Sequence, residues 1–202
     1  MGLTTRDLVV IRYLEKRFLL NAEILSRLVY WTGNEKYSLN ASRRRLKAMH
    51  DLKQIKRVRE FVGQSYVYYL GKAPSKIEHR LMISDFLSQL SKNGFEILLD
   101  ETEVEFKGLE EGYRIRPDAL VTFKYQDKTY QLLVEVDLTK PFSNGEAYKK
   151  ILADKRSGEL SSILRHPLVI VSVCDKEPEG ISCIWIKPDW SNFYNFTALF
   201  EK

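Results

Sequence analysis

Cysteine is scarce, with two residues in 202, which argues against a disulfide framework or a zinc site. Cys174 and Cys183 sit among strand-like apolar residues and read as buried thiols. Long apolar runs are missing too. The stretch from Leu168 to Val173 is typical of the longest and falls far short of the ~20 residues a membrane-spanning helix needs. The opening Met1-Gly2-Leu3-Thr4-Thr5-Arg6-Asp7 lacks the charged-then-apolar order of a secretory signal, so a cytoplasmic location and no membrane partner are expected. Low-complexity segments are absent. With 44% hydrophobic and 29% charged residues and aromatics spread from Phe18 to Phe200, a folded chain is expected. His50 and His166 have no partner pattern.

What is present divides by charge. The length suits two cores of roughly a hundred residues each. Residues 1–72 hold fifteen Lys and Arg against six Asp and Glu, whereas the remainder holds seventeen against twenty-one. All of the positive excess behind the formal +5 therefore lies in the first third, where it attracts polyanions. Gly71-Lys72-Ala73-Pro74 has linker composition, so domains over 1–72 and 73–202 are expected.

In the first domain, Thr4 or Thr5 opens an amphipathic helix through Val9, Ile11, Leu14 and Phe18. Asn21 caps a second helix that ends at the Thr32-Gly33-Asn34 turn, and a third starts near Ser38. In that third helix Leu39, Leu46 and Met49 share one side, and Asn40, Arg44, Lys47 and Ala48 the other. Alternating segments Ile55 to Phe61 and Ser65 to Leu70, split by Val62-Gly63-Gln64, predict a hairpin. Three helices and a hairpin in this order match a winged helix-turn-helix, whose third helix reads the major groove while the hairpin touches the flanking backbone. Double-stranded DNA is the partner this implies. Asn40, Arg43, Arg44 and Lys47 are the candidate contacts of the helix, and Lys56, Arg57 and Arg59 those of the wing. The run from Ser42 to Met49 resembles the recognition helix of bacterial winged-helix proteins, except that Lys53-Gln54 stands where a glycine usually ends the helix; a different bend is expected there. A winged helix used only for protein contacts is the competing reading.

In the second domain, Ser75 is expected to cap a helix through Ile77, Leu81, Ile83, Phe86, Leu87 and Leu90. Strands are expected over Phe95 to Leu99, Tyr113 to Phe123 and Tyr130 to Asp137, then a helix from about Glu146 to Leu164, then strands Leu168 to Val173 and Ile181 to Ile186. The whole reads as an α/β (α+β) sandwich. Period-two alternation puts Asp118 with Arg116 and Leu120, and Glu135 with Leu133 and Asp137. Pairing the two strands would gather three carboxylates at one end of the sheet, a set that calls for a hard cation such as Mg²⁺ or Mn²⁺. Ordinary roles compete: Asp118 as a strand-end partner of Arg116, and His79 as a packing or capping residue rather than a base.

Arg116-Pro117-Asp118-Ala119 followed by Leu133-Val134-Glu135-Val136-Asp137-Leu138-Thr139 resembles the PD-(D/E)XK nuclease superfamily. With the upstream winged helix and Glu78-His79, the chain resembles more narrowly the replication-relaxation family of plasmids, phages and integrative elements. The resemblance implies a restriction-endonuclease-like second domain in which Asp118, Glu135 and the carbonyl of Val136 hold the metal. It also implies an accessory role in replication or conjugal DNA relaxation, with replication or relaxase machinery as partners. The superfamily lysine is Asp137 here; Lys149, Lys150 and Lys155 on the next helix, or Lys140, are the substitutes to look for, and Glu78 is a candidate additional acid. Three readings stay open: a DNA-binding accessory protein with a nuclease-like domain, an active Mg²⁺-dependent endonuclease or nickase, and a repressor with an oligomerisation domain. The aromatic tail, Trp185, Trp190, Phe193, Tyr194, Phe196 and Phe200, is expected to cap the core, with a homodimer face as the alternative.

Overall fold

The computed structural model describes residues 3–108, 113–139, 142–157, 160 and 164–201. These form a mixed α/β protein with six helices and a five-stranded mixed sheet. The chain divides into two compact units, 1–94 and 95–202. The division falls later than the Gly71 to Pro74 linker implies, because the helix over Ile77–Lys92 groups with the first unit.

The first unit opens with α1 (Thr5–Glu15), whose N-cap Thr4 forms a capping box with Asp7. Asn21 caps α2 (Ala22–Leu28) by accepting from the Ile24 N–H at 2.8 Å. The third helix, α3 (Glu35–Asp51), starts earlier than Ser38 because Asn34 caps it. Its buried residues are Ser38, Ser42, Leu46 and Met49, and Leu39 is half-buried. Strands β1 (Lys56–Val58) and β2 (Val67–Tyr69) form a hairpin shorter than the alternation predicts. Leu20 joins it as an antiparallel bridge through reciprocal backbone bonds with Tyr68 at 3.2 and 2.7 Å.

The end of α3 corrects the expected change of bend. Lys53 adopts φ 58°, and bonds run from the Lys53 N–H to the His50 carbonyl and from the Gln54 N–H to the Met49 carbonyl. That is the Schellman closure glycine normally provides, made here by a lysine at a left-handed backbone. The last helix of the unit, α4 (Ile77–Lys92), has Lys76 rather than Ser75 as its N-cap and no side-chain cap. It packs on α2 through the Arg27–Asp85 ion pair and an Arg27 Nε bond to Ser88 Oγ at 2.9 Å.

The second unit is built on a sheet ordered β3 (Glu96–Thr102), β6 (Ala119–Tyr125), β7 (Lys128–Asp137), β8 (Leu168–Cys174), β9 (Ile184–Ile186). The first three pair antiparallel, and β7, β8 and β9 run parallel. A parallel step needs a crossover, which α5 (Gly145–Ser157) supplies between β7 and β8. The expected single strand from Tyr113 to Phe123 is two. A short β5 (Tyr113–Ile115) pairs with β4 (Phe106–Gly108), and β6 begins only after Arg116-Pro117-Asp118, since proline has no N–H for a ladder.

The sheet's two faces bury different residues. Leu120 and Leu133 join Tyr148, Ile151, Leu164 and Ile170 under α5. On the other strand parity, Phe123 and Tyr130 stack at 5.5 Å and meet Phe95 and Phe200, beside α6 (Tyr194–Thr197) with its buried Phe196. The aromatic tail is thus largely core, with Tyr194 left 67% exposed. Cys174 is buried and Cys183 half-buried, both as free thiols. Among the described residues no helix is long and apolar enough to cross a membrane.

Candidate functional site

Two groups of polar residues stand out, one in each unit. In the first, α3 turns its small and apolar residues inward, so its polar side is solvated. Asn40, Arg43, Arg44 and Lys47 are all exposed. With Tyr37, 64% exposed, positions 37, 40, 44 and 47 advance by three or four residues and form one stripe. Tyr37 escapes the sequence reading because that reading starts the helix near Ser38, three residues after its first residue Glu35; the Asn34 cap was the signal.

Arg45, the third of the arginine triplet, has a different role. It forms an ion pair with Asp7, which is fully buried, and so fixes α3 to α1. Burial alone would raise the Asp7 carboxyl, but hydrogen bonds from Arg45 and Thr4 and the guanidinium charge outweigh it and hold the carboxyl low. Arg43 is less free than its neighbours, lying 3.5 Å from Glu23 at the surface.

The hairpin carries the other candidate cations. Lys56 is exposed and donates to the Gly71 carbonyl at 2.7 Å. The guanidinium carbons of Arg57 and Arg59 lie 4.0 and 4.9 Å from the centroid of the Tyr66 ring. Glu78 is exposed and, with Arg59, Glu60, Ile77 and Leu81, lines a cavity of about 230 Å³ inside the first unit. His79 is half-buried on the same helix.

In the second unit the register of β6 and β7 pairs Ala119 with Val134 and Leu120 with Leu133. Leu120 and Leu133 lie under α5, and alternation along β7 carries Glu135 to that same face, where Tyr148 meets it, while Asp118 immediately precedes the first paired residue of β6. Both acids thus come to one end of adjacent strands. Asp118 is half-buried, and its Oδ2 accepts the Val136 N–H at 2.8 Å, taking the place of a ladder bond where β6 has yet to begin. A strand residue turns its N–H and C=O to the same side, so the Val136 carbonyl faces the Asp118 side as well.

Glu135 is 6% exposed, and its Oε1 accepts from Tyr148 Oη at 2.7 Å and Asn144 Nδ2 at 2.9 Å. Burial pushes its carboxyl up to about 7; the two hydrogen bonds oppose that rise, and the charges of Asp118 and Asp137 add to it. Burial and the nearby acids likewise push the Tyr148 hydroxyl up, so it stays a donor. Asn144 and Tyr148 escape the sequence reading. Their signal was the i,i+4 spacing at the start of α5, where the Asn144 carbonyl accepts the Tyr148 N–H at 3.1 Å.

Other expectations for this site change. Among the described residues no group of three or more His, Cys, Asp or Glu is placed to hold a metal ion, so the three-acid cluster reduces to Asp118 and Glu135. Asp137 is half-exposed and acts on Glu135 through its charge. Lys149 is not brought to Glu135: it is exposed and pairs with Glu146 at 2.6 Å. Lys150 is half-buried on α5. Lys140 and the side chain of Lys155 lie outside the described residues.

The remaining donor set is chemically suited to Mg²⁺ or Mn²⁺. Such ions take oxygen ligands, and Mg²⁺ is commonly held by one or two carboxylates with water and substrate phosphate completing its shell. Asp118, Glu135 and the Val136 carbonyl are the residues that would hold it, and their mutual repulsion is what a cation would relieve. No family model, no curated protein and no solved structure matches this chain.

Proposed function

We propose that the chain is a duplex-DNA-binding accessory protein, with the first unit as a winged helix and the second as a PD-(D/E)XK-like domain. The carrying observation is the exposed stripe of Asn40, Arg44 and Lys47 on a helix anchored by the buried Arg45–Asp7 pair and followed by a cationic hairpin. The order helix, Leu20 bridge, helix, helix, hairpin supports the winged-helix reading, and a strand meander crossing by α5 to parallel β8 supports the nuclease-like one. The resemblance of the Asp118 and Glu135 segments is what supports a role in replication or conjugal relaxation of mobile elements.

The second reading, a metal-dependent endonuclease or nickase, is favoured by Asp118 and Glu135 lying within charge interaction of each other at adjoining strand ends. A bound cation would supply charge stabilisation at a phosphoryl group and an activated water. This chain's own part is to hold two acids in position, Glu135 by Tyr148 and Asn144, and Asp118 by the Val136 N–H.

The test has two arms. Duplex affinity is measured against salt concentration for the full chain and for Arg44→Ala and Lys47→Ala. Each variant is expected to weaken binding and to lower the log–log salt slope by about 1; slopes unchanged in both refute the DNA interface. Supercoiled plasmid with Mg²⁺ or Mn²⁺ then separates the readings: nicking abolished by both Asp118→Ala and Glu135→Ala establishes the enzyme, and binding without nicking leaves the accessory protein.

A further inference from the structure

The hairpin tip is unlike the rest of the cationic surface. Phe61 is 68% exposed and Val62 is 89% exposed, side by side at the apex. The fold does not require either. The turn is closed by the Gln64 N–H donating to the Phe61 carbonyl at 3.3 Å, and Gly63 supplies the φ of 102°. Turn positions ordinarily favour Asn, Asp, Ser, Gly or Pro, and a β-branched valine there serves no local geometry.

Below the tip lies a cationic shaft. Lys56 and Arg57 lie on β1 and Arg59 just past its end, and the stacking of Arg57 and Arg59 on Tyr66 restrains their guanidiniums. Two nearby acids, Glu60 and Glu78, line the cavity with Val58 and Leu81, and Glu23 accepts from Ser65 Oγ at 3.1 Å. We propose that Phe61 and Val62 form an apolar wedge that inserts into the minor groove of duplex DNA and partly unstacks a base step, bending the duplex.

This rests on the DNA-binding reading above and gives it a mode of engagement. Apolar side chains inserted between base steps kink DNA, and the cost of unstacking is offset by the contacts the bend permits. An anionic membrane also attracts cations beside apolar groups. Duplex DNA is favoured because the same unit carries eighteen Lys and Arg against eight Asp and Glu and presents the amide of Asn40 with Arg44 and Lys47 on one helix face. That set is suited to base edges as well as phosphates.

The experiment uses the full chain and a short duplex with end-attached fluorophores for energy transfer and 2-aminopurine at one step. Wild type is expected to shorten the end-to-end distance and raise 2-aminopurine fluorescence on binding. A Phe61→Ala/Val62→Ser variant is expected to lose both signals while keeping its salt slope and binding within roughly tenfold of wild type. An unchanged urea midpoint shows that this exposed change leaves the fold intact, and Phe61→Trp gives a second readout through quenching of the added indole on base contact. Wild type that binds duplex without bending or unstacking it overturns the wedge and leaves the DNA reading standing. Failure to bind duplex at all removes the DNA reading itself. Binding to phosphatidylserine vesicles that depends on Phe61 and Val62, without duplex bending, overturns the proposal in favour of a membrane.

Discussion

Replacing Glu135 with Gln is expected to stabilise the protein at alkaline pH and to do little at pH 4.5. The carboxyl is buried, and burial together with Asp118 and Asp137 holds it at about 7 against an ordinary value of 4.5. A carboxyl raised in the folded state binds its proton more tightly there than in the unfolded chain. Stability therefore falls as pH climbs from about 4.5 to about 7, and above that range the loss is complete. The difference corresponds to roughly 3 kcal/mol. Glutamine has the same shape, and its amide oxygen accepts from Tyr148 and Asn144 without charge. Urea denaturation followed by tryptophan fluorescence at pH 4.5, 6 and 8 measures the effect. The variant's advantage should grow with pH toward 2 to 3 kcal/mol, and Mg²⁺ at pH 8 should stabilise wild type more than the variant. A pH-independent difference, or a variant less stable than wild type at pH 8, would refute the reasoning.

Lys53 holds a left-handed backbone that a glycine adopts freely, so Lys53→Gly is expected to raise stability by about 0.5 to 1 kcal/mol in a thermal melt. Cutting the buried pair with Arg45→Leu leaves the Asp7 charge uncompensated and should cost roughly 3 kcal/mol at neutral pH. Because the Asp7 carboxyl is held below its ordinary 3.8, the pair's contribution is present above that value and disappears as pH falls through the lower folded one; the gap between Arg45→Leu and wild type should therefore narrow below pH 3.8 in acid titrations. At the surface, Tyr37→Ala should leave the melting temperature within a degree or two and weaken duplex binding in a mobility-shift assay, as a member of the exposed α3 stripe.

Periodicity made the helices and the strand parity legible. The i,i+3/i+4 pattern separates Leu46 and Met49 from Asn40, Arg44 and Lys47, and the pairing of Ala119 with Val134 leaves Asp118 and Glu135 next to one another just beyond the paired stretch. Local signals competed where the reading slipped. Pro117 interrupts a run that otherwise alternates like one strand, and Lys53 completes a closure that composition assigns to glycine. The grouping of α4 with the first unit rests on Arg27 meeting Asp85 and Ser88 across about sixty residues, which no local pattern encodes. Arg45 shows the same limit: three successive arginines are alike in sequence, and only packing separates the one that anchors from those that face solvent.

A buried glutamate needs a physical reason, because glutamine would fill the same space and keep both hydrogen bonds. Tyr148 and Asn144 both donate to one oxygen of Glu135 and favour its charged form, while burial and two neighbouring acids oppose that form. The opposition is strongest when no positive charge is near, and a proton or a cation each removes it. Glu135 is thus placed where it gains most from a positive partner. A divalent ion held by Asp118 and Glu135 would be one such partner, and a proton is the other. The two possibilities predict different responses to one change. If the acids serve only packing, Asp118→Asn lowers the Glu135 carboxyl and the protein's response to Mg²⁺ is unaltered. If they serve a cation, the same substitution also removes the stabilisation that Mg²⁺ gives at pH 8.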